Sequence, residues 1–239
     1  MCARAPVSCL SHTTTLPAPL HHPHTHAHTP SPPPPHLTDC SDGWDRTSGL
    51  TSLALLLLDP HYRTIRGLCA LLAREWCNFG HRFGRRCGTG VGDAHASCRE
   101  DARDDQRAPI FLQFVDALWQ LTRQHGAAFE FNERLLAALV DHAYSGAFGT
   151  FALDCEAERA AAGFAAGGAP SLWDVFMHPA NRAAFANPAY APPPPLAPAP
   201  AGGKGPRLPL LPSRATLLHI ATDVRDVQVW PLWVLRFGS

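Results

Sequence analysis

A cysteine, five residues and an arginine is the spacing of a phosphate-binding cradle, and it occurs here as Asp39-Cys40-Ser41-Asp42-Gly43-Trp44-Asp45-Arg46-Thr47. The loop between Cys40 and Arg46 can turn its backbone N–H groups inward and form an anion nest at the start of a helix. Gly43 supplies the backbone freedom that such a tight turn needs. Arg46 adds a planar fork able to grip two phosphate oxygens at once. The same positive field favours Cys40 as the thiolate, which is the nucleophilic form. The chemistry this arrangement suits is attack by sulfur on a phosphate ester.

The run Cys-Ser-Asp-Gly-Trp-Asp-Arg-Thr from Cys40 to Thr47 resembles the active-site loop of the myotubularin phosphatases. These are lipid phosphatases of the cysteine-dependent superfamily that remove the 3-phosphate from phosphoinositides. The resemblance implies that Cys40 is the nucleophile, that Arg46 and the loop amides from Ser41 to Arg46 hold the phosphate, and that Asp45 is the general acid. It gives Thr47 a hydrogen bond to the sulfur. Ser41, Asp42, Gly43 and Trp44 fall in the substrate-binding loop. Asp42 stays ambiguous between orienting Arg46, orienting the substrate and being solvated. A second segment, Trp76-Cys77-Asn78-Phe79-Gly80-His81-Arg82-Phe83 with Arg85 and Arg86, resembles the family stretch whose arginines contact phosphates on the inositol ring; the matching positions are Arg82 and Arg86. Asp42 and Asp45 repel a multiply charged ligand, and extra arginines offset that repulsion, which favours a phosphoinositide over a phosphoprotein. No metal or other cofactor is needed, since arginine and backbone do its work.

Those residues need elements to carry them. From Arg46 the pattern is helical, with Leu50, Leu53, Ala54, Leu57 and Leu58 on one face and Leu55 and Leu56 on the other. A helix apolar all round reads as buried, and its amino end points at the phosphate site, where the dipole favours an anion. Asp59-Pro60 ends it. A second helix carries Ile65, Leu68, Cys69, Leu72 and Trp76 at helical spacing. Pro109 opens a helix with Phe111, Phe114, Val115, Leu118 and Trp119 inward. Asn132 caps another, with Leu135, Leu136, Leu139 and Val140 inward. Gly88-Thr89-Gly90-Val91-Gly92 reads as a flexible turn rather than a nucleotide loop. Pro231 breaks the closing segment, Leu217 to Phe237.

The resemblance runs from about Cys40 to Phe237 and covers only the C-terminal half of the family's phosphatase domain. The fold it implies is α/β, cysteine-dependent phosphatase-like, with this chain supplying the helical half and the sheet largely missing. The expected chain is therefore mainly helical, with exposed apolar faces that seek a partner. In this superfamily a buried strand precedes the cysteine, yet here Pro32 to Pro35 stand there, and proline cannot donate to a sheet ladder. Asp39 stands where the family usually has His, and its carboxylate raises the thiol pKa against the field of the loop. The abrupt change from a proline–histidine tract to the motif is what an incomplete reading of a longer gene, with a mis-joined exon, produces.

Composition narrows the remaining classes. Twenty basic residues balance 20 acidic ones, so net charge gives no argument for nucleic acid, and attraction to an anionic membrane rests on local clusters. None of the eight cysteines forms C-x2-C, and their scatter suits a reducing compartment. The expected location is cytoplasmic and peripheral to membranes. Residues 1–37, with nine prolines and seven of the 14 histidines, read as a disordered tail. The domain runs from 38 to 239, with low-complexity insertions near 160–170 and 190–212. Three functions compete: hydrolysis of the 3-phosphate of phosphatidylinositol 3-phosphate and of the 3,5-bisphosphate through a cysteinyl-phosphate; a non-catalytic relative that binds a myotubularin-family partner; and, least favoured, a protein-tyrosine phosphatase.

Overall fold

The first described element is a helix, α1 (Arg46–Leu58), entered through a turn in which Gly43 has φ +79°. The computed structural model describes residues 42–89, 106–164, 168–194 and 216–234. Cys40 and Ser41, the 1–37 tail and residues 195–212 of the second insertion lie outside these ranges, as does Gly90 to Gly92 of the glycine-rich turn. Among the described residues there is no strand, only an isolated antiparallel bridge between Phe131 and Ala186. The helical half of the expectation therefore stands, and the α/β sheet is not among these elements.

The buried row of α1 is Ser48, Ser52 and Leu56, spaced by one turn each. Small side chains let the helix come close to the indole of Trp76, whose Nε1 donates to Ser52 Oγ at 3.0 Å. Beside it, Thr51 Oγ1 donates to Glu75 Oε2 at 3.2 Å. The opposite row, Leu50, Ala54 and Leu58, is exposed, with Leu50 at 57% and Leu58 at 48%. This corrects the expectation of a helix buried all round. Leucine on every side gives no orientation, and the serines with polar partners decide which side faces in. The outer leucines have no sheet among the described residues to cover them.

Asp59 ends α1 and accepts the N–H of His61 through Oδ1 at 2.8 Å. The 3-10 turn that follows (Pro60–Arg63) folds Arg63 back over the helix it has left. The buried Arg63 guanidinium donates to the carbonyls of Leu56 (2.8 Å), Leu57 (3.2 Å) and Thr216. It thus satisfies the orphan acceptors of the α1 carboxyl end and anchors the returning C-terminal segment there. Thr64 Oγ1 caps α2 (Ile65–Leu72) by accepting Gly67 N–H. The expected stripe Ile65, Leu68, Cys69, Leu72 and Trp76 is buried throughout. Beyond Leu72 the helix widens into a π-helical turn, Ala73–Asn78, and this wider spacing turns three successive residues, Glu75, Trp76 and Cys77, inward.

A short helix, α3 (Phe83–Cys87), closes at Gly88 with φ +72°. Then α4 (Ile110–Gln124) packs on α1 and on α5 (Glu133–Ser145). All five expected inward residues of α4 and all four of α5 are buried. Asn132 caps α5 as expected, accepting from the N–H groups of Arg134 and Leu135. Trp76 meets Phe111 and Phe114 at 5.0 Å each between ring centroids, and Phe83 meets Phe151 at 4.6 Å. These rings form the centre of the core. Three short helices follow, α6 (Glu156–Ala161), α7 (Leu172–Met177) and α8 (Pro179–Phe185).

The closing segment runs extended along α4. Gln120 and Gln124 each use a side-chain amide as a strand would use its backbone, donating to the carbonyls of Gln228 and Ala221 and accepting their N–H groups. Trp230 then stacks on Trp119, and α9 (Pro231–Val234) begins at the proline, as the break in the closing segment predicts.

At the junction of the 3-10 turn and α2, a Cβ on Gly67 would lie 1.8 Å from the backbone oxygen of His61. No rotamer relieves a clash with backbone. Gly67→Ala is therefore expected to lower stability by roughly 1–3 kcal/mol, read as a lower urea midpoint with an unchanged slope. A midpoint equal to that of the wild type would contradict this packing.

Candidate active site

Asp45 occupies the N-cap position of α1, where an aspartate ordinarily accepts an N–H from the first turn. Here it makes no side-chain cap, and no acidic residue follows in the first turn. The Asp45 carboxylate thus makes no cap to the first turn of α1, whose dipole favours an external anion. Gly43 holds a left-handed turn before it, a conformation in which any Cβ is strained. Ser48 Oγ donates back to the carbonyl of Trp44 at 3.1 Å and closes the turn from the helix side.

The Asp45 carboxylate turns instead to the segment after the π turn. Its Oδ1 lies 2.9 Å from Nδ1 of His81, and its Oδ2 lies 2.9 Å from Nη2 of Arg86, with Arg86 Nε at 3.2 Å. The remaining terminal nitrogen of Arg86, Nη1, donates to the backbone and side-chain oxygens of Gln106 at 2.8 and 3.0 Å. All three nitrogens of that guanidinium are engaged. Burial alone pushes the Asp45 pKa up, but the hydrogen bonds from His81 and Arg86 and the positive field around them outweigh it. The carboxyl falls from its ordinary 3.8 to about 2. Asp45 is an ionised carboxylate at neutral pH.

Arg82 behaves differently from Arg86. Its guanidinium stacks over the indole of Trp44 at 4.2 Å, a cation–π contact that holds the charge beside the loop without neutralising it. Arg46, at the first position of α1, is exposed. Among the described residues neither Arg46 nor Arg82 has an acidic partner, whereas Arg85 pairs with Asp154 at 2.8 Å. The site therefore carries two unneutralised guanidinium groups against one exposed carboxylate, Asp42. That balance suits an anion.

The structure brings Trp44 and Asp45 together with Arg82 and Arg86, a conjunction the two sequence segments only imply. It also adds His81, which the sequence reading passed over. The signal was slight, an imidazole among the rings of Trp76, Phe79 and Phe83, and it is completely buried. Cys40 and Ser41 lie outside the described residues. Three described cysteines, Cys69, Cys77 and Cys87, have thiols pushed up to about 12 by burial, which makes them poor nucleophiles. Among the described residues no cluster of His, Cys, Asp or Glu is placed to hold a metal ion, and no helix is long and apolar enough to cross a membrane.

Comparison with known proteins gives a consistent result. The myotubularin-like phosphatase domain matches residues 34–160. Myotubularin of Rattus norvegicus is 48% identical over 155 residues, covering 65% of this chain and 24% of that protein. Myotubularin of Xenopus laevis is 46% identical over 151 residues, or 63% of this chain and 23% of that protein. The phosphatidylinositol-3,5-bisphosphate 3-phosphatase MTMR2 of Mus musculus is 54% identical over 120 residues, or 50% and 17%. The chain spans about a sixth to a quarter of the length of these relatives.

The lowered pKa of Asp45 has a signed consequence for stability. A carboxyl whose folded pKa is depressed stabilises the fold above its unfolded pKa and loses that contribution as pH falls through the folded value. The stability gap between the wild type and Asp45→Asn is expected to be constant above about pH 4 and to shrink between 4 and 2. Urea midpoints of both proteins from pH 2 to 6 measure it; a gap that does not change with pH refutes the ionic anchoring.

Proposed function

This chain belongs to the myotubularin-like phosphatase domain family, and on that premise we propose that it hydrolyses the 3-phosphate of phosphatidylinositol 3-phosphate and 3,5-bisphosphate through a cysteinyl-phosphate on Cys40. The observation that carries the proposal is the amino end of α1, left uncapped by Asp45 and flanked by the unneutralised Arg46 and Arg82. The relative named above as a phosphatidylinositol-3,5-bisphosphate 3-phosphatase supports the same reaction. In it, the Cys40 thiolate attacks phosphorus in line, the S–P bond forms, and the P–O bond to the inositol breaks. Loop amides and Arg46 stabilise the charge on the equatorial oxygens. Water then attacks the phosphorus and sulfur leaves as thiolate, a departure that a hydrogen bond from Thr47 eases in this scheme.

Asp45 protonates the departing inositol oxygen in this scheme, yet its carboxyl rests at about 2. The two facts fit if the substrate itself changes the environment of Asp45. A phosphate on the inositol ring competes for Arg86; when the fork turns to it, Asp45 loses one of the two partners that hold its pKa down and takes a proton from solvent more readily. The proton passes to the leaving oxygen, and the regenerated carboxylate accepts one from the attacking water. Arg82, held over Trp44, is the second ring-phosphate ligand. The site is thereby matched to a substrate with more than one phosphate, which disfavours phosphotyrosine. The described helices form the C-terminal half of an α/β cysteine-dependent phosphatase fold, and the exposed row Leu50, Ala54 and Leu58 is the face on which the sheet lies. A lipid substrate puts the work at a membrane surface, on the cytoplasmic side.

A second reading, a non-catalytic relative that associates with a family partner, is favoured by the same exposed leucine row and by the full engagement of Arg86. One assay separates the two. Phosphate release should be seen from short-chain phosphatidylinositol 3-phosphate and 3,5-bisphosphate, with far less from phosphotyrosine peptide, and Cys40→Ser should reduce it by at least about a thousandfold. Association with a partner phosphatase and no release from either lipid would select the second reading.

A further inference from the structure

We infer that His81 is the positioning residue of this site, holding the Trp44–Asp45 peptide in the one orientation that points the following amide towards an incoming anion. Its Nδ1 lies 3.1 Å from the carbonyl oxygen of Trp44 and 2.9 Å from Oδ1 of Asp45. Both are acceptors, so Nδ1 carries the proton and donates to both. The other ring nitrogen, Nε2, is buried with no hydrogen-bond partner among the described residues. The ring is therefore used at one atom only, and turning it over would take its donor away from both acceptors.

Packing keeps the ring in that position. Trp76 meets it edge to face at 4.8 Å and Phe83 at 4.7 Å. The backbone is fixed as well, with His81 N–H donating to the Trp76 carbonyl at 3.0 Å and the His81 carbonyl accepting Phe83 N–H at 2.9 Å. The first of these spans five residues and continues the π-helical pattern. The π turn thus has a purpose at the site, because it sets the depth and direction from which His81 reaches the loop.

The consequence for the loop follows from peptide geometry. Among the described residues the peptides are all trans, and in a trans peptide the C=O of one residue and the N–H of the next point in opposite directions. With the Trp44 carbonyl drawn inward to His81, the N–H of Asp45 points outward, away from the core. It joins the amides that can cradle an anion. Ser48 Oγ also donates to the Trp44 carbonyl, at 3.1 Å, but only His81 ties that carbonyl and the Asp45 carboxylate together, so without it the peptide is held less firmly and the cradle donor loses its fixed direction. Arg86 cannot substitute, because it holds only the carboxylate and makes no contact with the carbonyl.

The effect on turnover rests on the phosphatase reading, whereas the contact and its effect on anion binding do not, and the test keeps the two apart. His81→Asn retains a donor near the Nδ1 position and loses the ring; His81→Phe retains the ring and loses the donor. In the full chain, His81→Phe is expected to lower kcat on phosphatidylinositol 3-phosphate by roughly a hundredfold with a smaller change in KM. It should weaken orthovanadate binding and let the Asp45 carboxyl, followed by carbon-13 NMR, climb from about 2 towards 3.8. His81→Asn should retain most of all three properties. A purely structural histidine gives the reverse order, with Phe tolerated and Asn damaging, and that result overturns the inference. Nitrogen-15 NMR of the unsubstituted protein decides it without any variant, since an unprotonated Nδ1 overturns it too. If the wild type turns over no lipid, the phosphatase reading falls, while vanadate binding and the Asp45 titration still decide the role of His81.

Discussion

One carboxylate, Asp45, joins the loop to the body of the protein. It declines the cap position its type and place would suit and divides its oxygens between His81 and Arg86. That choice has two effects at once. It binds the turn at residues 42–45 to the segment after the π turn, and it neutralises the carboxylate at the amino end of α1 with His81 and Arg86 instead of capping the helix with it. Everything else described at the site depends on this arrangement, including the position of Trp44 under the Arg82 guanidinium.

The helix behind the loop packs through Leu56 and its neighbours, but its rotation is set by a polar seam. Ser52 accepts from the Trp76 indole and Thr51 donates to Glu75, so α1 has a defined rotation although it is apolar nearly all round. Arg63 fixes its other end through three carbonyls. A helix clamped at both ends presents its amino terminus at a constant angle, which is what a preorganised anion site requires. The exposed Leu50, Ala54 and Leu58 row is the side of α1 that no described element covers, in a chain about a third as long as its relatives.

Much of this was legible in the sequence, and the exceptions have physical reasons. The inward faces of α4 and α5 could be read because Phe111, Phe114, Val115 and Leu118, or Leu135, Leu136 and Leu139, recur at helical spacing against polar neighbours. The cap at Asn132 needs only local geometry. By contrast, the rotation of α1 could not be read, since a helix with leucine on every side carries no periodic signal and its orientation comes from Ser48 and Ser52. The same holds for the pairing of Arg86 with Asp45 and the burial of His81. These unite residues about 40 positions apart, and only the π turn, which leaves no mark in the spacing of apolar residues, brings them together. Site residues were thus identifiable one by one, while their mutual commitments were not.

The central claim is that sulfur at residue 40 receives the phosphoryl group at the amino end of α1. It is tested most directly by acid-quenching the protein during reaction with phosphatidylinositol 3-phosphate and locating the phosphoryl group by mass spectrometry of its peptides. The account predicts one phosphoryl group on the peptide that contains Cys40, absent when the lipid lacks the 3-phosphate. Phosphate release with the label on another cysteine, such as the half-exposed Cys155, or on none, would contradict it.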